Sequence, residues 1–105
     1  MMNAEQMFEK LGFKIGTIFG DEEFIKKHIK YEKKILIDGM FYACKLIVFF
    51  SKENKTVSVF YDDIEKDHEE YYYEPVEMDL ELVKAIHQQL KELKELKKIK
   101  GTKNG

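Results

Sequence analysis

Apolar positions along this chain recur at two periods, and the switches between them mark out its elements. Met7, Phe8 and Leu11 form a stripe at helical spacing behind Asn3-Ala4-Glu5-Gln6, a capping-box pattern. Gly12 supplies a stop, so residues 4–11 are predicted as a short helix. Phe13 to Phe19 is β-prone, with Phe13, Ile15 and Thr17 on one face, and Gly20-Asp21 closes it. The next stretch supports two readings. Asp21-Glu22-Glu23 caps a helix carrying Phe24, Ile25, His28 and Ile29, whereas Ile29, Tyr31, Lys33, Ile35 and Ile37 alternate as in a strand. The alternation favours a strand over about 27–37, leading into Asp38-Gly39, a type I′ hairpin signal.

Phe41 to Phe50 is apolar almost throughout, interrupted only by Lys45, which predicts a strand with apolar contacts on both faces. Ser51 to Lys55 is a polar turn, and Thr56 to Tyr61 alternates again, with Val57, Val59 and Tyr61 on one face. Asp62 to Glu70 is too charged to pack and reads as an exposed loop. Tyr71 to Glu74 then resumes as an edge strand ended by Pro75. Asp79 is a natural N-cap for a helix over 80–99, about 30 Å long, with Val83, Ile86, Leu90 and Leu93 at three- and four-residue spacing.

These elements predict an α+β fold: a short N-terminal helix, an antiparallel meander of four or five strands, and a long C-terminal helix packed across one face. The expected core draws on Phe8, Leu11, Phe13, Ile35, Leu46, Val48, Phe50, Val57, Val59, Val83, Ile86, Leu90 and Leu93. A chain of 105 residues fits one such domain, 1–100, with 101–105 as a flexible tail. Its single cysteine, Cys44, cannot form an intramolecular disulfide. It lies in the apolar run as a small hydrophobe, in keeping with a reducing compartment. No leader pattern is present at the start, and the longest strictly apolar runs fall far short of a membrane span, so a cytoplasmic protein is expected.

Charge changes this picture most. Residues 62–81 carry ten acids against one base, Lys66, a net of −9; the last 24 residues carry seven lysines and two acids, a net of +5. The acidic stretch also holds Tyr71, Tyr72 and Tyr73, and a dense negative surface with embedded tyrosines suits a basic partner or imitates a nucleic-acid backbone. The candidate contact residues are therefore Asp62, Asp63, Glu65, Asp67, Glu69, Glu70, Tyr71, Tyr72, Tyr73 and Glu74. The plainer reading makes 62–70 a solvated loop that keeps the protein soluble.

Catalytic and metal patterns are weak. Cys44 has no motif around it, serine occurs only at 51 and 58, and His28, His68 and His87 lack paired ligand spacing. Asp63 to Glu74 spans the twelve positions of a calcium loop, but His68 stands where that loop turns on glycine and Glu70 where it needs a hydrophobe. Glycine patterns for phosphate are absent. We expect no enzyme, no cofactor and no metal site. Lysines interleave with Tyr31 and crowd the C-terminal helix, yet the chain has no arginine, which disfavours specific base readout and makes direct nucleic-acid binding the weaker reading.

Several segments resemble small uncharacterised proteins encoded by phages and prophages of low-GC Gram-positive bacteria. They are Gln6 to Phe13, Tyr31 to Ile35, Glu53 to Val59, and Met78 to Leu93, and the resemblance extends over nearly the full chain. Members of that group often stop at a Leu-Gly-Trp-like ending soon after the helix, whereas here Lys94 to Gly105 continues as a basic extension. The resemblance implies an accessory gene of a mobile element and names no substrate. The leading expectation is a non-enzymatic binding protein whose acidic segment contacts a host or phage protein that handles nucleic acid. The alternatives are a self-associating module or a weak nucleic-acid binder using the lysine-rich helix. Self-association would use the outer side of Phe41 to Phe50 or a helix stripe of Leu82, Ile86, Leu93 and Leu96, as monomer or homodimer.

Overall fold

The computed structural model describes residues 2–36, 43–63 and 76–104. In chain order the elements are α1 (Ala4–Lys10), β1 (Lys14–Ile15), α2 (Glu22–Lys26), β2 (His28–Leu36), β3 (Ala43–Ser51), β4 (Thr56–Asp63) and α3 (Leu80–Asn104). The strands form one antiparallel sheet in the order β1-β2-β3-β4, a simple meander. The expected α+β arrangement is what the chain adopts. The Asp38-Gly39 turn and the Tyr71–Glu74 strand lie outside the described residues.

Local chemistry sets each boundary. Asn3 caps α1 with a full capping box: its side chain accepts from the Gln6 amide, and Gln6 Oε1 accepts from the Asn3 amide. Gly12 follows with φ +93°, the left-handed turn that lets the chain leave the helix for β1. Residues 21–36 realise both sequence readings in succession. Asp21 accepts from the Phe24 amide and caps a five-residue helix, and the strand begins at His28. β1 is only two residues long where the sequence predicted a strand to Phe19. The ladder ends at the bond from the Gly16 amide to the Lys30 carbonyl, and Thr17 and Phe19 are exposed. α3 begins at its Asp79 cap, which accepts from the Leu82 amide, and runs beyond the predicted end at Ile99 to Asn104.

Alternation divides the sheet into two faces. Tyr31, Leu46, Val48 and Phe50 face α1 and α3, joined by Phe8, Phe13, Leu82, Ala85, Ile86 and Leu93 in one cluster. Phe8 lies at its centre, stacked on Tyr31 with centroids 4.0 Å apart and edge-on to Phe13 and Phe50. Cys44 is buried on the same face of β3. Val83, expected in the core, is 46% exposed. Positions 82, 85, 86, 89 and 93 make the inward stripe, and Val83 lies about 100° round the helix from Leu82. Burial of Leu82, Ile86 and Leu93 also removes them from the helix seam considered for self-association, leaving Leu96 alone exposed in that stripe.

Polar contacts fasten the helices to the sheet. Glu92 accepts from the Ala4 amide at 2.7 Å and from Gln88 Nε2 at 2.9 Å, tying the start of α1 to α3. Tyr31 donates its hydroxyl to Gln89 Oε1 at 2.7 Å between two buried side chains, and Lys33 donates to the Leu11 carbonyl at 2.8 Å.

Candidate functional site

The acidic segment begins inside the sheet. Asp62 and Asp63, expected in a loop, are the last two residues of β4, in register with Lys45 and Cys44 of β3. The ladder continues through them because an aspartate opposite Lys45 is a favourable cross-strand pair. Glu65, Asp67, Glu69, Glu70, Tyr71, Tyr72, Tyr73 and Glu74 lie outside the described residues. At the far end the Glu77 amide donates to the Tyr61 hydroxyl at 3.4 Å, and Val76 packs against the core. Tyr61 precedes Asp62 directly, so both ends of the acidic stretch are held at the β4 edge. Beyond it, Glu81 pairs with Lys84 one turn on, at 3.7 Å between exposed side chains.

The sheet face turned away from α1 and α3 carries a second charged arrangement. Register places Lys34, Lys45 and Asp62 in one row, Lys14, Glu32, Ile47 and Phe60 in the next, and Lys30, Phe49 and Ser58 in a third. Glu32 is buried at the centre, with Lys45 Nζ at 3.6 Å and Lys14 Nζ at 3.8 Å from Oε1, and Lys30 Nζ at 4.0 Å from Oε2. Burying a carboxylate is costly unless cations compensate, and three surround this one. Gly16 makes room: a Cβ there would stand 2.9 Å from Glu32 Oε2. Lys30 is further fixed by donating to the Thr17 carbonyl at 3.1 Å.

Aromatic rings flank the charges. Phe60 is 42% exposed in the Glu32 row. Phe49 is half-buried because α2 folds over that end of the face: His28 stacks on Phe49 at 5.0 Å, Phe24 covers His28 at 4.1 Å, and His28 Nδ1–H donates to the Phe24 carbonyl. The outer side of this strand, considered from sequence as an apolar pairing surface, is thus a mixed row in which Ile47 is fully buried and Lys45 is engaged with Glu32.

A concavity of about 420 Å³ opens between α2, β1 and α3, walled by Ile15, Ile18, Ile25 and Ile29, with Tyr31 and Gln89 among its lining. Burial and then the carboxylates of Glu5, Glu92 and Glu9 push the Tyr31 phenol up to about 12, so it stays a neutral hydrogen-bond donor. Ile15 at 61% and Phe19 at 85% exposure extend the apolar surface outward.

Among the described residues, no three His, Cys, Asp or Glu side chains converge as metal ligands, and no helix is long and apolar enough to cross a membrane. No protein-family model, curated protein or solved structure matches the chain. Sequence reasoning missed the Glu32 cluster. Its signal was the spacing of Lys30, Glu32 and Lys34 at period two opposite Lys45, the one charge in an apolar strand. Only the register between β2 and β3 turns that spacing into a site.

Proposed function

We propose that this chain is a non-enzymatic accessory binding protein, of the kind mobile genetic elements encode, whose acidic tyrosine-containing segment binds and blocks a protein that handles nucleic acid. The observation carrying this reading is the concentration of charge: ten acids and one base in residues 62–81, seven of the acids between the anchors at Tyr61 and Glu77, in a chain whose remaining parts are net basic. Carboxylates at that density offer a basic groove what phosphates offer, and tyrosines supply apolar contact that a solvated loop does not need. Complementary fields of this type speed association and make affinity fall steeply with salt.

The test is affinity capture of the tagged full chain from nuclease-treated host lysate, with stepwise salt elution and mass spectrometry. A nucleic-acid-handling protein released at moderate salt supports the reading. Recovery of the bait alone counts against it.

A further inference from the structure

We propose that the sheet face turned away from α1 and α3 is a second site, which binds single-stranded nucleic acid without sequence preference through Lys14, Lys30, Lys34 and Lys45 and by stacking of a base on Phe60. This goes beyond the acidic contact surface and uses none of the residues between Asp63 and Glu77. Charge complementarity carries it. Four lysines lie on this face against two carboxylates, Glu32 and Asp62, so the face keeps two net positive charges although the chain as a whole is net negative. Three of the four converge within 4.0 Å of Glu32. Glu32 and Asp62 together offset two of the four ammonium charges, and the remaining two favour a further anion above the sheet.

The second element is an exposed aromatic ring at the β4 edge of the same face. Phe60 is 42% exposed, two strands from Glu32 in the same row, and Phe49 lies in the adjoining row beside Lys30. A sheet presenting lysines for the backbone and an exposed ring for a base is how sequence-tolerant single-strand binders work, because every base has a π-face. Lysine without arginine suits this mode, since a point charge on a flexible stem follows phosphates without reading bases. A folded duplex offers no unstacked base to Phe60 and should bind less well.

The experiment titrates a fluorescently labelled oligothymidylate with the full-length protein at several salt concentrations, beside a duplex of the same length and inorganic polyphosphate. We expect a Kd on the order of 10⁻⁴ to 10⁻⁶ M and a log–log salt slope of about −2 to −3 for four lysines. Phe60→Ala should weaken oligothymidylate binding roughly tenfold while leaving polyphosphate unaffected. Lys34→Gln should reduce the slope by about 0.7. Because the chain lacks tryptophan, Phe60→Trp provides a single fluorophore whose quenching by the oligonucleotide reports stacking directly. Absence of binding overturns the proposal. So does binding that survives Phe60→Ala and is instead lost in Lys91→Gln/Lys94→Gln on α3, or polyphosphate binding equal to that of the oligonucleotide.

Discussion

Replacing Tyr31 by phenylalanine removes one oxygen from the junction of sheet and C-terminal helix, and the cost follows from what that oxygen touches. Its hydroxyl donates to Gln89 Oε1 at 2.7 Å, and both side chains are buried. A neutral hydrogen bond contributes about 1 kcal/mol net, but an amide oxygen left buried without a donor raises the loss to ~1–3 kcal/mol. For a domain of this size that lowers Tm by roughly 5–20 °C. The ring remains, so its stack on Phe8 is preserved.

Tyr31 also makes a pH signature. Its phenol titrates near 10 in the unfolded chain and at about 12 in the fold. Since the folded value is the higher, the stabilisation is complete below pH 10 and is lost as pH rises towards 12, by ~2–3 kcal/mol in all. Tyr31→Phe has no such group. Urea unfolding of both proteins at neutral pH and at about pH 11 should therefore show a gap that narrows with alkalinity, lysine titration being common to the two. A double mutant with Gln89→Leu should recover part of the loss, giving a coupling of about 1 kcal/mol. Equal stability at neutral pH would refute the assignment of this hydrogen bond, and a gap unaltered by pH would refute the burial of the phenol beside the carboxylates of Glu5, Glu92 and Glu9.

Phe50→Ala empties a fully buried site edge-on to Phe8 and should cost about 3–5 kcal/mol in chemical denaturation, a large share of the whole stability. Asn3→Ala breaks the capping box and should cost about 1 kcal/mol, with faster amide exchange in the first turn of α1. Leu93→Ala should cost about 2–5 kcal/mol whereas Leu96→Ala, one turn on and exposed, should stay within about 0.5 kcal/mol; equal losses would mean that α3 packs on a different face.

Periodicity carried most of the fold because the elements it specifies are local. The capping box, the alternation of 28–36 and 56–61, and the inward stripe of α3 all depend on neighbours within a few residues. Errors arose where a distant partner decides. β1 ends at Ile15, with one last bond from Gly16 to Lys30, although β2 runs on to His28, and β4 gains Asp62 and Asp63 where β3 presents Lys45 and Cys44 opposite them. Val83 was placed in the core by spacing alone, although Leu82 fits the same stripe and has the sheet beneath it. The charge asymmetry was fully legible as composition. The Glu32 cluster was not, since Lys14, Glu32 and Lys45 come from three strands that meet only through sheet register.

The central claim is that the acidic segment is a contact surface, and a paired capture tests it most directly. The natural chain and a variant with Asp62, Asp63, Glu65, Asp67, Glu69 and Glu70 changed to their amides are exposed side by side to the same nuclease-treated lysate. Matched thermal melts first establish that both are folded. The account predicts that a nucleic-acid-handling protein is retained by the natural chain and released by rising salt, and that the variant loses it. Recovery of the same protein by both, at the same salt, would contradict it.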